Sequence, residues 1–160
     1  MRHTITILVE NEFGVLTRIA GLFSARGYNI ESLNVAPTLD ETISRLTLVT
    51  RGDEKIIEQI KKQLNKLIPV IKVEDISHMV HLERGLLMLK VIDANDLRQA
   101  AEASGANIID HEQGNYFIAE FTGSPEGVDT FLASIDAEYI IEASRTGPVG
   151  MRRGSKGFVV

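Results

Sequence analysis

Between an apolar run ending at Val9 and another beginning at Val15 lies the segment Glu10-Asn11-Glu12-Phe13-Gly14. If a strand leads into a helix there, the junction is suited to binding. A helix start carries about half a positive charge and several unsatisfied N–H groups, which fits an anion such as a carboxylate. Gly14, with no Cβ, lets a ligand approach that backbone closely. Asn11 offers an amide donor and acceptor, for a carboxylate or an ammonium. Asn29 offers the same pair where the next strand begins, either beside Asn11 or across an interface from it. Together these groups suit a zwitterion, and Val15, Leu16, Ile30, Leu33 and Val35 can enclose a small apolar side chain, worth roughly 1.5–3 kcal/mol when fully buried. The ligand described by this chemistry is an aliphatic amino acid. A plainer reading has Asn11 capping the helix, Gly14 permitting a turn and Asn29 bonding its own backbone after Gly27. The residues alone leave both open.

Other chemistry is weaker. His78, His81 and Glu83 form an H-x-x-H-x-E cluster whose spacing suits metal ligands on one helix, but the segment reads as a joint running into a strand, and the chain has no cysteine to join it. No metal site and no catalytic residue is assigned. A phosphatase can cradle phosphate at the first junction with Arg18 as clamp, yet Glu10 and Glu12 flank that loop and repel an anion of high charge. Arg152, Arg153 and Lys156, among Gly150, Gly154 and Gly157, read as a flexible basic tail, either solvated or docked on an acidic patch of a partner. A net charge of −5 argues against general nucleic-acid binding. No run of about 18 apolar residues exists to span a membrane, and the lack of cysteine fits a reducing compartment, so the expected location is cytoplasmic.

The elements that must hold these groups repeat one plan. His3 to Val9 is a strand with one covered face, and Leu16, Ile19, Ala20 and Phe23 form the stripe of a helix that Gly27 closes. Ile30–Ala36 and Ile43–Thr50 read as a hairpin. Asp53 caps a second helix with the stripe Ile57, Ile60, Leu64 and Leu67, ended by Pro69, and Val70–Ile76 is the last strand. The second half runs in the same order. It has a strand over Gly85–Ile92, a helix from Asp96 to Ser104, strands over Asn107–His111 and Tyr116–Phe121, a helix opened by Ser124-Pro125, and a strand over Tyr139–Ser144. Gly27-Tyr28-Asn29-Ile30 and Gly105-Ala106-Asn107-Ile108 stand 78 positions apart at the same joint.

The expected fold is α+β, with two ferredoxin-like βαββαβ units over residues 1–77 and 78–160. Each has a four-stranded antiparallel sheet with two helices on one face. The other face of the first sheet, with Thr4, Thr6, Arg45, Thr47 and Lys72, is expected to stay open for a second copy. RNA-binding modules of this order place aromatics on central strands, and His3–Val9 and Ile43–Thr50 have none. Units of about 75 residues bury only a marginal core, which favours association.

ENEFGVLTRIAGLFSARGYNIESLNVAPT, followed by SRLTLVT and GDEKIIEQIKKQLNKLIPVIKV, closely resembles the amino-terminal ACT domain of acetolactate (acetohydroxyacid) synthase small subunits. The resemblance continues through HLERGLLMLKV to GPVGMRRG. It implies a non-catalytic regulatory subunit of branched-chain amino-acid biosynthesis. Such a subunit activates a separate catalytic large subunit that uses thiamine diphosphate, Mg2+ and FAD, and confers feedback inhibition, usually by valine. It further implies a homodimer through the ACT domains, with the effector between Asn11, Gly14, Val15 and Leu16 of one chain and Asn29 and Ile30 of its partner. A standalone amino-acid sensor acting on a different partner is the alternative. The second unit has Ile92-Asp93-Ala94-Asn95 in place of an Asn-x-x-Gly loop, and no equivalent site is assigned to it.

Overall fold

The computed structural model describes residues 1–160. They divide into one unit formed by Met1–Leu82 with Val149–Val160 and a second formed by Glu83–Pro148.

In the first unit, β1 (Arg2–Glu10) feeds α1 (Val15–Ser24), which leads to β2 (Ile30–Pro37), β3 (Ile43–Arg51), α2 (Glu54–Leu64) and β4 (Val70–Asp75). The sheet order is β2-β3-β1-β4, all antiparallel, so β2 and β4 are its edges. Alternation along β1 sends Ile5, Ile7 and Val9 into one core with Leu46 and Leu48 of β3, Ile19, Leu22 and Phe23 of α1, and Ile57, Ile60 and Leu64 of α2. Both helices therefore cover one face. Removing any of these fully buried aliphatic side chains to alanine costs about 2–5 kcal/mol.

Asp53 caps α2 as expected, accepting the Ile56 N–H at 2.8 Å. The helix ends at Leu64 rather than running to Pro69, because the Asn65 side chain donates to the Lys61 carbonyl and a turn follows. Leu67 still reaches the core from that turn.

The second unit repeats the order with the long β5 (His81–Ile92), α3 (Asn95–Ala103), β6 (Asn107–Glu112), β7 (Tyr116–Gly123), α4 (Pro125–Ala133) and β8 (Ile140–Arg145), the last preceded by a short 3-10 turn. Its sheet order, β6-β7-β5-β8, is that of the first unit. Leu87, Leu89, Val91, Phe117, Val128 and Phe131 centre its core. Two details duplicate to the residue. Gly27 and Gly105 both close a helix at positive φ, 69° and 90°. In each case the following N–H reaches back five residues, Tyr28 to the Phe23 carbonyl and Ala106 to that of Ala101. The strand that follows then breaks register between Ile30 and Ser32 in one unit, and between Ile108 and Asp110 in the other.

The open sheet face and the flexible tail expected from sequence are both corrected. Residues 149–160 return to the first unit, where Val149–Arg152 forms β9. Gly150 lies so close to that face that a Cβ there would stand 2.7 Å from Ile76 Cδ1 and 3.3 Å from Thr4 Cγ2. Its N–H donates to Thr47 Oγ1, and its carbonyl accepts from Arg45 at 2.8 Å. Phe158 is buried with the Arg45 and Lys72 cations over its ring. Arg152 is no free cation. It meets Glu74 at 3.0 Å and donates to the carbonyls of Lys156 and Gly157.

Candidate functional site

Gly14 occupies the cap position of α1 with φ 81° and ψ −3°, a left-handed conformation that strains any residue with a Cβ. No side chain bonds the first-turn N–H groups, and that turn holds no acidic residue. Asn11 is therefore not the cap. Its Nδ2 donates to the Glu41 carbonyl at 2.9 Å, and its backbone N–H to that of Thr42 at 2.7 Å. The junction is thus tied to the β2–β3 loop, which leaves the amide oxygen and a second amide hydrogen for another partner. A Cβ on Gly14 would meet nothing within 4 Å, so the surface above this backbone is open. Leu16 and Phe13 are exposed beside it, while Val15 is buried and anchors the helix start in the core. Ile30 and Leu33 are half-buried against that core, and Val35 is exposed.

Asn29 is exposed, and only its carbonyl is used locally, accepting from Thr50 Oγ1 at 2.7 Å. The register sets its distance from Asn11. Ile30 pairs with Thr50, which pairs with His3, whereas Glu10 pairs with Ile43 at the other end of β1. Seven residues of strand separate the two levels, about 24 Å at about 3.4 Å per residue. A single chain cannot bring Asn11 and Asn29 onto one amino acid, so of the two arrangements read from sequence the one within a chain is excluded.

The matching junction of the second unit is built differently. Asp93 donates its N–H to the Asn115 carbonyl as Asn11 does to Thr42, but its carboxylate accepts the Gly114 N–H at 2.7 Å and faces Arg98 and His111 at 3.1 and 3.3 Å. The side chain is 6% exposed. The Gly114 N–H, with further help from His111 and Arg98, outweighs desolvation and holds this carboxyl below the usual carboxylate range.

Two family descriptions match the chain in succession. Residues 5–72 match the "AHAS small subunit-like ACT domain", and residues 84–154 match "Small subunit of acetolactate synthase". The chain belongs to the acetolactate synthase small-subunit family. Within that family it is 44% identical to the acetolactate synthase isozyme 3 small subunit of Escherichia coli K12 over 161 aligned positions, covering 98% of each chain. It is also 44% identical to the probable acetolactate synthase small subunit of Archaeoglobus fulgidus, covering 98% of this chain and 99% of that one. The crystal structure of the acetolactate synthase small subunit from Thermotoga maritima superposes with a TM-score of 0.89 at 34% identity, covering 98% and 99% of the two chains. No helix of this family member is long and apolar enough to cross a membrane.

Proposed function

We propose that this chain is a regulatory subunit without chemistry of its own, that it binds and activates a catalytic acetolactate synthase subunit, and that it carries the feedback response to a branched-chain amino acid, valine first. Thiamine diphosphate, Mg2+ and FAD belong to the catalytic partner in this reading. The observation that carries it is the α1 start, uncapped by any side chain, entered through left-handed Gly14 and flanked by an Asn11 amide with hydrogen-bonding capacity to spare.

The effector's carboxylate lies on the N–H groups beyond Gly14, its ammonium takes an amide oxygen, and Leu16 and Ile30 receive the side chain. Two chains are needed. β2 is an edge and runs in the direction of β1, so a copy paired antiparallel along β2 brings its own Asn29 to the level of Asn11. The effector then favours one arrangement of the pair, and a coupling of about 1–3 kcal/mol changes the partner's behaviour several-fold to a hundredfold.

The test is acetolactate formation by the cognate catalytic subunit alone, with this chain, and with this chain plus millimolar valine. Stimulation that valine reverses is expected. No stimulation of a demonstrably active partner overturns the regulatory reading and leaves an amino-acid sensor.

A further inference from the structure

We propose that the first unit holds a divalent transition-metal site of the zinc class formed by His3, Asp75 and His78, a site independent of the effector junction. The three residues offer two imidazole nitrogens and a carboxylate oxygen within 4.8 Å of one another. The H-x-x-H-x-E spacing grouped His78 with His81 and Glu83. The fold instead sets His78 beside the first strand, its ring edge-on to that of His3 with centroids 6.0 Å apart.

Burial makes the cluster unusual. The His3 side chain is 0% exposed, with Nδ1 3.0 Å from Asp75 Oδ2 and Nε2 without any hydrogen-bond partner. A buried imidazole held 3.0 Å from a carboxylate oxygen sets Nδ1 and Oδ2 side by side as two candidate ligand atoms. The Nδ1 to Oδ2 separation is close to the edge of about 3.3 Å between two ligand atoms on a tetrahedral zinc.

Asp75 is fixed from its other oxygen by the Ser77 N–H and hydroxyl at 2.9 and 2.5 Å, so its second oxygen is aimed at His3. His78 is the exposed member, at 54%, and its Nε2 meets Glu54 Oε1 at 2.8 Å. That pair resembles the carboxylate–imidazole contact that orients a metal-bound histidine and leaves Nδ1 to ligate. Two nitrogens and one oxygen favour zinc and its neighbours over Mg2+ or Ca2+, and three protein ligands leave the fourth position to water. Bound there, the ion would clamp the start of β1 to the segment after β4.

The experiment is calorimetric titration of the chelator-stripped full chain with Zn2+ near neutral pH, on wild type, His78→Ala, His81→Ala and Glu54→Gln. One ion per chain is expected for wild type and His81→Ala. Saturable binding should be lost in His78→Ala, whose target is exposed and does not disturb the core, and weakened about 10–100-fold in Glu54→Gln. Zinc should raise the thermal midpoint of wild type and not of His78→Ala. In ring-proton NMR spectra His3 and His78 should shift together while His81 and His111 stay in place. Absence of saturable binding in wild type, equal binding by wild type and His78→Ala, or shifts confined to other histidines would each overturn the site.

Discussion

Asn11 and Asp93 hold the same place in two copies of one fold, each sending its backbone N–H to a carbonyl of the neighbouring hairpin. Their side chains meet that hairpin with opposite polarity. Asn11 donates to the Glu41 carbonyl, whereas Asp93 accepts the Gly114 N–H and collects Arg98 and His111 around a buried carboxylate. The helix that follows is entered through left-handed Gly14 in the first unit, and through extended Ala94 at φ −143° in the second. The second unit has an acidic first-turn residue, Asp96, at the positive end of its helix; the first has none, and neither helix start is capped by a side chain. The charges of Asp93 and Asp96 thus separate a junction suited to an outside anion from one that already carries acidic groups.

The contrast breaks most sharply if the first junction is given the second's charge. Gly14→Asp should weaken valine binding by a hundredfold or more while stimulation of the catalytic subunit persists. Gly14→Asn carries the same left-handed strain without the charge and should keep much of the binding, so equal loss in both would trace the effect to backbone geometry. Next in size, Asn29→Ala should weaken valine about tenfold in calorimetry, the value of a hydrogen bond to a charged group. Its counterpart Asn107→Ala should change nothing, and a matching loss there would give the second unit an effector role.

Asp93→Asn should lower the thermal midpoint by a few degrees with valine binding intact. The smallest expected effect is on acid titration. Asp93 is held below the usual range in the folded state, so its contribution is complete above the unfolded-state value and lost as pH falls through the folded one. The midpoint difference between wild type and Asp93→Asn should therefore shrink below about pH 4. A difference that grows there would mean the carboxylate is not stabilised as described.

Where a local rule governs, sequence was enough. Periodicity located the strands and helices, and Asp53 and Ser124 cap as their positions imply, the latter accepting the Gly127 N–H at 3.1 Å. Gly27 announced a left-handed helix end because few other residues tolerate one, and Gly105 at the matching joint has the same conformation. At the candidate site the sequence marked Gly14 for its missing Cβ, while its left-handed backbone came only with the structure. The true partner of Asn11 was not legible, since Glu41 is 30 residues away and contributes a carbonyl, which every residue has. The separation of Asn11 from Asn29 was equally hidden, because it depends on strand register.

The tail misled most. Its glycines read as flexibility, yet Gly150 is small because Ile76 and Thr4 lie against it. The His3–Asp75 contact spans 72 positions, and no local spacing signals it.

The return of residues 149–160 to the first unit has a consequence for the order in which the molecule is made. On the ribosome the first sheet emerges early, but Phe158 and Arg152, which pack against it, emerge after the whole second unit. The unit begun first is finished last. Until then Thr4, Thr47 and Ile76 lack the glycine backbone that later lies on them, and a nascent chain stalled within the second unit displays a half-dressed sheet.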